Sequence, residues 1–206
     1  MQPQQQTRQV VSTGRPERDA AYYDSIYAWD RDGEGRFNSH PSQSYYCSIW
    51  MTGVSWIGDE ELIADLGCGP GQFAQLAIEQ GKRYGIGIDF SAEAVELAKR
   101  RLPEHADKFR VGDLHSADLE AALDCDAFVV FEVLEHIQDD LGLLSRIPSG
   151  RTLIFSVPSY DWESHVRCFP TAQAAADRYG PLLSSLEIAT ASGGDQHIFI
   201  CRGVRR

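Results

Sequence analysis

From residue 61 onward, short apolar segments alternate with segments whose apolar residues recur at helical spacing. This alternation predicts strand–helix–strand units, in which parallel strands are joined by right-handed crossovers. The last two apolar segments, 184–191 and 196–204, are separated only by SGGD, which is too short for a crossover and predicts an antiparallel hairpin. We therefore predict an α/β fold with a Rossmann-like, mostly parallel sheet, an antiparallel strand in a C-terminal hairpin, and helices on both faces.

The same patterns give the bounds of the other elements. Strands are predicted at 61–66, 84–89, 108–113, 126–131 and 151–157. Helices are predicted at 72–80, 92–102, 115–123, 133–147 and 171–180.

The chain of 206 residues, 43% of them hydrophobic, is long enough for one well-buried domain. Residues 1–18 are rich in Gln, Pro and Arg and predict a disordered arm. Residues 19–60 are rich in aromatic side chains and predict an N-terminal lid of two or three short helices. The third segment, 61–206, is the predicted ligand-binding domain.

Charge and cysteine content narrow the function classes. The formal net charge of −11 disfavours a general nucleic-acid binder, which needs a basic surface to displace counterions, and favours a small-molecule partner. The five scattered cysteines are typical of free thiols in a reducing compartment. The segment 1–19 lacks a charged-then-apolar signal pattern, and the sequence has no apolar run of about 18–20 residues, so we expect a cytoplasmic protein without membrane association.

Three glycines at alternate positions, Gly67, Gly69 and Gly71, follow the first predicted strand of the domain. Glycines at this junction let the backbone turn tightly and approach a ligand at the start of a helix. A dinucleotide site has the pattern G-x-G-x-x-G, whereas here Asp65 precedes a G-x-G-x-G turn. A carboxylate at this point favours a ligand with a cationic end over a pyrophosphate, and the alternative is a turn without a ligand.

Two further acidic residues end the next predicted strands. Asp89 lies about 20 residues after Gly67, where a carboxylate can accept both hydroxyls of a ribose. Its alternative role is to precede a helix that Ser91 caps. Asp113 is placed to bind an adenine amino group, and its alternative role is the N-cap of the following short helix.

Together the segments ADLGCGPG, GIGIDFS, VGDL and FEVLEHI resemble, in order, the four motifs of class I S-adenosylmethionine-dependent methyltransferases. The resemblance covers roughly residues 60–160 and implies a seven-stranded sheet. It also implies roles for the glycine turn and Asp65 at the methionine part, Asp89 at the ribose, Asp113 with Leu114 at the adenine, and Glu132 in the cofactor pocket. The full predicted cofactor set is Asp65, Gly67, Cys68, Gly69, Gly71, Phe73, Asp89, Phe90, Asp113, Leu114, Glu132, Val133, Tyr46 and Trp50.

In FEVLEHI, a helix would place Glu132, Glu135 and His136 on one face of its first turn. Carboxylates there also stabilise a helix N-terminus, which is one interpretation. A second interpretation is a site for a divalent cation such as Mg²⁺, held by these three residues. This E-x-x-E-H arrangement is similar to those of ubiquinone-biosynthesis O-methyltransferases and of small-RNA terminal 2′-O-methyltransferases. The second resemblance implies an additional histidine ligand further along the chain, and His165 is placed to supply it. A third interpretation makes His136 a metal-free general base, with His165 as a further catalytic candidate.

Aromatic and polar side chains near the site have alternative roles. Residues 157–170 predict a loop over the site, from which Tyr160, Trp162, His165 and Arg167 can contact the acceptor or can merely anchor the loop. The N-terminal aromatic residues are either a lid over the cofactor or the cover of one sheet face; they are Tyr22, Tyr23, Tyr45, Tyr46 and Trp50.

The sequence therefore predicts an S-adenosylmethionine-dependent methyltransferase that O-methylates a small molecule. The alternatives are a metal-dependent 2′-O-methyltransferase of RNA termini and a non-catalytic cofactor-binding module or partner subunit.

Overall fold

The computed structural model describes residues 9–28 and 37–206. Its centre is a seven-stranded sheet in the order β4-β3-β2-β5-β6-β9-β8, and a separate two-stranded ribbon pairs β1 with β7. The nine strands are β1 (Val11–Ser12), β2 (Leu62–Leu66), β3 (Arg83–Asp89), β4 (Phe109–Val111), β5 (Ala127–Val130), β6 (Thr152–Pro158), β7 (Arg167–Cys168), β8 (Leu183–Gly193) and β9 (Gln196–Arg205).

The C-terminal hairpin and the parallel sheet are both confirmed. The strands β2 to β6 of the large sheet pair in parallel, whereas β9 is antiparallel to its neighbours β6 and β8. The tight turn between β8 and β9 contains Gly194 at φ +63°, a conformation that glycine adopts without steric cost.

Helices cover both faces of the sheet, as predicted. One core cluster includes Leu144 and Tyr179, and the other includes Trp50 and Phe73. Adjacent residues of β6 enter opposite clusters, because successive side chains of a strand point to opposite faces. The α-helices are α1 (Ala20–Ala28), α2 (Cys47–Trp56), α3 (Gln72–Glu79), α4 (Ala92–Arg101), α5 (Asp140–Ser145) and α6 (Ala172–Tyr179).

The prediction of a disordered arm over 1–18 is wrong for residues 9–18; residues 1–8 lie outside the described part. Strand β1 pairs antiparallel with β7, and the Thr13 N–H continues the ladder to the Val166 carbonyl at 3.0 Å. Arg15 then forms a two-pronged ion pair with Asp161. Backbone pairing thus fixes a segment that has too few apolar side chains to bury. We call residues 9–18 the strap.

The helix predicted over 133–147 is also wrong for its first half, because α5 begins only at Asp140. Residues 131–139 form an irregular turn instead, and the predicted short helix at 115–123 is a 3-10 helix, Ala117–Ala122. In the predicted lid, α1, a 3-10 helix (Pro41–Gln43) and α2 are present, whereas residues 29–36 lie outside the described part. Across the described residues, none of the helices is long and apolar enough to cross a membrane.

Candidate active site

A cleft opens at the carboxyl ends of β2, β3, β4 and β5. After β2 the chain adds β3 and β4 on one side, and it then crosses to β5 on the other side, so the cleft lies at the switch point of the sheet. Open α/β sheets bind their ligands at this position. The cleft is lined by Glu17, Arg18, Tyr23, Tyr27, Gly67, Asp89, Phe90, Asp113, Leu114, His115, Glu132, Val133, His136 and Ile137.

The glycine turn after β2 requires glycine for two reasons. Gly67, Gly69 and Gly71 all have positive φ angles, of 78°, 50° and 74°. In addition, a Cβ on Gly67 would lie 2.3 Å from Val133 Cγ2, well inside contact distance. The turn therefore brings the backbone directly against the segment that follows β5.

Asp89 joins the glycine turn to the end of β3. Its carboxylate accepts hydrogen bonds from the backbone N–H of Gly69 at 2.9 Å and of Ser91 at 2.8 Å. The residue is 7% exposed, and burial raises its pKa to about 6, although both N–H donors favour the ionised form. Asp89 is therefore held rigidly at the cleft with lone pairs left for a ligand, as a ribose-binding carboxylate requires.

Asp65 does not line the cleft. Its carboxyl group is buried and accepts a hydrogen bond of 3.0 Å from the hydroxyl of Tyr84. Burial raises the pKa of Asp65 to about 7, the Tyr84 hydroxyl lowers it, and the nearby Asp89 carboxylate raises it further. Asp65 thus lies beneath the glycine turn, and its predicted contact with a bound ligand remains a prediction.

Asp113 and Leu114 do line the cleft, beyond β4. The Asp113 carboxylate accepts the backbone N–H of His115 at 2.8 Å and so closes a tight turn. The alternative role of Asp113 as a helix N-cap is wrong, because Ser116 caps the following 3-10 helix.

Glu132 begins the irregular turn 131–139 with φ +55°, the one positive φ of a non-glycine residue in the described chain. Such a conformation is costly and persists only where the surroundings enforce it. Here the Ser156 hydroxyl accepts the backbone N–H of Glu132 at 2.9 Å and donates to its carboxylate at 2.8 Å. The predicted shared helix face of Glu132, Glu135 and His136 is therefore wrong.

Glu135 is fully buried, and neither carboxylate oxygen has a hydrogen-bond partner among the described residues. Burial, with the nearby Glu132 carboxylate, raises the pKa of Glu135 well above its usual value. An unpartnered buried carboxyl group is costly, so this group requires a proton or a cation.

His136 and His165 are oriented by backbone carbonyl groups. The Nδ1 atom of His136 lies 3.1 Å from the Ser164 oxygen, and that of His165 lies 3.2 Å from the Tyr160 oxygen. Because a carbonyl can only accept, each ring donates from Nδ1 and its neutral form carries a lone pair on Nε2. Burial lowers the pKa of His136 to about 4, with the His165 charge as a second cause, and burial also lowers the pKa of His165.

Glu135, His136 and His165 form one cluster. Each offers one ligand atom, and these atoms all lie within 4.8 Å of one another. The rings of the two histidines are 4.9 Å apart, and His136 Nε2 is 3.9 Å from a Glu135 oxygen. Glu132 is outside this group of three, so the structure brings together three of the four predicted metal ligands.

The aromatic residues of the N-terminal region divide between the two roles that the sequence left open. Tyr23 on α1 lines the cleft, with its ring 5.2 Å from Phe90 and 6.0 Å from His136. Trp50 instead belongs to the core cluster on one sheet face, and Tyr46 packs against that cluster with its ring 5.8 Å from the Trp50 ring. The other predicted cofactor residues that do not line the cleft are Cys68, Gly69, Gly71 and Phe73.

Sequence reasoning missed several residues of the cleft. Glu17 and Arg18 are the last two residues of the strap, and the apolar pair in QVVSTG was the signal for the short strand that brings them to the cleft. The other missed residues are Tyr27, His115 and Ile137. In the predicted loop 157–170, His165 is 4% exposed, whereas Trp162 is 60% exposed and Arg167 is buried.

Comparison with known proteins agrees with this architecture. Residues 64–148 match the family model described as "Methyltransferase domain". The solved structure of magnesium protoporphyrin IX methyltransferase from Synechocystis PCC 6803 with bound SAH is similar over 91% of this chain and 97% of that chain, with a TM-score of 0.67 and 16% identity. The fold is thus that of the class I methyltransferases.

Among curated sequences, an uncharacterized 37.1 kDa protein in transposon TN4556 of Streptomyces fradiae is 35% identical over 56% of this chain and 34% of its own length. A trans-aconitate 2-methyltransferase of Rhodopseudomonas palustris (strain BisB5) is 34% identical over 43% of this chain and 33% of its own length. The matched region is therefore about a third of each relative. The family-model match over 64–148 includes the strands β3 to β5 and the turns that follow them at the cleft, and the chain is similar to methyltransferase domains there.

Proposed function

We propose that the protein is an S-adenosylmethionine-dependent methyltransferase. The observation that carries this proposal is the convergence of Gly67, Asp89, Asp113 and Glu132 on one cleft at the switch point of the sheet. In this proposal Asp89 binds the ribose hydroxyls and Gly67 lets the ligand approach the backbone. Leu114 contacts the adenine. The methyltransferase domain match over 64–148 supports the same reaction class.

We propose further that the acceptor is a small molecule with a reactive oxygen. His136 lines the cleft, and its Nε2 lone pair is available to take a proton from an acceptor hydroxyl. Methyl transfer is an in-line displacement, and holding donor and acceptor in line can lower such a barrier by about 7–11 kcal/mol. The name of the trans-aconitate methyltransferase relatives also supports a small acceptor.

The cluster of Glu135, His136 and His165 fits a divalent cation. The two carboxylate oxygens of Glu135 lack hydrogen-bond partners among the described residues. In both histidines, Nδ1–H donates to a backbone carbonyl, a hydrogen bond that commonly orients metal-ligating histidines. A bound cation would polarise the acceptor oxygen and lower its pKa. Two nitrogen donors and one carboxylate suit Zn²⁺, Mn²⁺ or Fe²⁺ better than Mg²⁺, which prefers oxygen ligands. His136 cannot use one Nε2 lone pair both as base and as ligand, so these two roles exclude each other.

The cofactor proposal is tested by calorimetric titration of S-adenosylhomocysteine into the protein. Transfer of a labelled methyl group from S-adenosylmethionine to hydroxyl and carboxylate acceptors is then measured. We expect micromolar binding and label transfer to an oxygen. Absence of S-adenosylhomocysteine binding would overturn the proposal, whereas binding without transfer to any acceptor would support the non-catalytic alternative.

The metal proposal is tested separately, with protein saturated by S-adenosylhomocysteine. Mn²⁺, Zn²⁺ and Mg²⁺ are titrated into the wild type and into His136→Ala and His165→Ala variants. We expect Mn²⁺ or Zn²⁺ binding that both variants lose, with the acceptor search then directed to catechols, vicinal diols and ribose termini. If no cation binds the wild type, His136 remains the candidate base.

The cluster also keeps one rival open, a 2′-O-methyltransferase of RNA termini. The net charge of −11 opposes it, because a phosphate backbone needs cationic side chains. Filter binding with a short RNA at two salt concentrations decides the matter. We expect no retention at either salt concentration, and tight, salt-sensitive retention would favour the rival.

A further inference from the structure

Arg167 in β7 is buried beneath the turn that carries Glu135 and His136. The residue is only 6% exposed. Its guanidinium donates hydrogen bonds to the backbone carbonyls of Leu134 and Ile137, and to that of Gln138 at 2.7 Å. All three acceptors belong to the irregular turn, so one side chain holds three of its backbone groups.

These three carbonyls explain why a guanidinium is needed at this position. The turn is not helical, and a buried carbonyl group without a partner is costly. An arginine side chain offers five N–H donors in a planar fork, whereas lysine offers one compact ammonium group. A lysine side chain at position 167 cannot reach the same three oxygens in the same geometry.

The guanidinium is also paired with a buried carboxylate. The Asp140 carboxylate lies 3.3 Å from Arg167 Nη1, and the same carboxylate accepts hydrogen bonds from Arg178 and from the Tyr179 hydroxyl. Arg178 therefore shares this carboxylate but makes none of the contacts with the turn that are described for Arg167. This difference makes Arg178 a matched control.

The segment around Arg167 also fixes both histidines of the cluster. Next to it, the Val166 N–H donates to the Glu135 carbonyl at 2.8 Å. The Ser164 carbonyl accepts from His136, and His165 is two residues before Arg167. Arg167 thus connects the turn that bears two members of the cluster to the segment that bears the third.

We propose that Arg167 is a positioning residue, which holds the turn 134–138 so that Glu135 and His136 face His165. The proposal rests on the function proposed above for this cluster. Arg167 acts through the turn, and it is not among the residues that line the cleft.

The test compares Arg167→Lys and Arg167→Met with Arg178→Lys, in protein treated with a chelator. The readout is the ¹⁵N signature of the His136 ring, which distinguishes an Nδ1–H tautomer from a mixture. We expect the wild type and Arg178→Lys to show the Nδ1–H form. Both Arg167 variants are expected to show a mixture, because the turn no longer holds the ring against Ser164.

Two further measurements separate this proposal from the others. S-adenosylhomocysteine affinity is expected to stay unchanged in Arg167→Lys, which confirms that the variant is folded with an intact cofactor site. Where Co²⁺ binds the wild type, its apparent dissociation constant is expected to rise about ten- to a hundredfold in Arg167→Lys and to stay unchanged in Arg178→Lys.

An unchanged His136 signature in both Arg167 variants would overturn the positioning role, as would an equal change in Arg178→Lys. Absence of Co²⁺ binding to the wild type would contradict the metal site alone, since the tautomer readout needs no metal. If the Arg167→Met variant fails to fold, Arg167→Lys and the Arg178→Lys control decide the outcome.

Discussion

The cleft lies between two walls, the glycine wall (the turn 67–71 and the end of β3) and the second wall (the irregular turn 131–139). The two walls differ in whether their buried acidic groups have hydrogen-bond partners. On the glycine side, Asp89 accepts two backbone N–H groups at the cleft, and Asp65, beneath the glycine turn, accepts the Tyr84 hydroxyl. On the side of the turn, Glu135 has no hydrogen-bond partner within the described chain, although His136 faces it at 3.9 Å. The first wall is complete as folded, whereas the second carries a group that only a proton or a ligand can satisfy. A buried carboxyl group without a hydrogen-bond partner therefore indicates a ligand site more strongly than one whose hydrogen bonds are complete.

The largest expected effect arises where the two walls touch. Gly67→Ala adds a Cβ at 2.3 Å from Val133 Cγ2 in a left-handed backbone conformation. Strain and overpacking together are expected to lower the free energy of unfolding by about 2–5 kcal/mol, measured by urea denaturation. Gly150→Ala is the control, because Gly150 has φ +83° but open space around it. Equal losses in the two variants would show that the walls are not in tight contact.

On the glycine wall, Asp89→Ala removes the carboxylate that joins the Gly69 and Ser91 backbones. We expect S-adenosylhomocysteine affinity to fall about a hundredfold, or about 3 kcal/mol, since both the loop geometry and the ribose acceptor are lost. Calorimetry measures the change. Asp113→Ala, at an exposed turn, is expected to lose less, and an equal or larger loss there would contradict the assigned ribose role of Asp89.

On the other wall, Glu135→Met replaces an unpartnered buried carboxyl group with an apolar side chain of similar length. We expect metal-free protein to become more stable by about 1–3 kcal/mol, and stabilisation by added Mn²⁺ or Zn²⁺ to disappear. Thermal unfolding with and without metal measures both effects. Glu132→Met should destabilise instead, because it removes the acceptor of the Ser156 hydroxyl. Destabilisation by Glu135→Met would contradict the contrast between the walls.

The pH dependence of stability tests the glycine wall, whose buried carboxyl groups have hydrogen-bond partners. The pKa of Asp65 is raised from 3.8 to about 7 in the folded state, chiefly by burial. The unfolded chain therefore loses its proton first as the pH rises. This costs the folded state about 1.4 kcal/mol per pH unit between about pH 4 and pH 7. Below about pH 4 the contribution of Asp65 is fully present.

Asp65→Asn should flatten this part of the stability curve, measured by urea denaturation at several pH values. Tyr84→Phe should extend the loss to higher pH, because the Tyr84 hydroxyl lowers the pKa of Asp65. An unchanged slope in Asp65→Asn would show that Asp65 is ionised in the folded protein.

The glycine wall was predictable because its signals are local. Gly67, Asp89 and Asp113 each end an apolar strand, and parallel strand ends meet at one edge of a sheet whatever the details of packing. The turn was not predictable in this way. The spacing of Glu132, Glu135 and His136 is helical, but tertiary hydrogen bonds from Ser156 and from the segment around Val166 hold a different backbone.

The strap shows the same limit of prediction from sequence, because its structure also depends on a distant hydrogen-bond partner. Its composition predicts disorder, because composition reports how much apolar surface a segment can bury and not whether a backbone partner exists. Residues Val11 and Ser12 find such a partner in β7, more than 150 positions away in sequence. Pairing at this distance leaves only the short apolar signal of QVVSTG in the sequence.

The smallest expected effect links the strap to the second wall. The Thr13 hydroxyl donates a hydrogen bond of 2.6 Å to the carbonyl of His165. Thr13→Val keeps the shape of the side chain and leaves that carbonyl without this donor, so we expect a loss of about 1 kcal/mol in unfolding free energy. Ser12→Ala is the control, since Ser12 is exposed and pairs through its backbone. If Thr13→Val also weakens metal binding while Ser12→Ala does not, the strap contributes to the position of His165; equal behaviour of the two variants would limit the strap to a covering role.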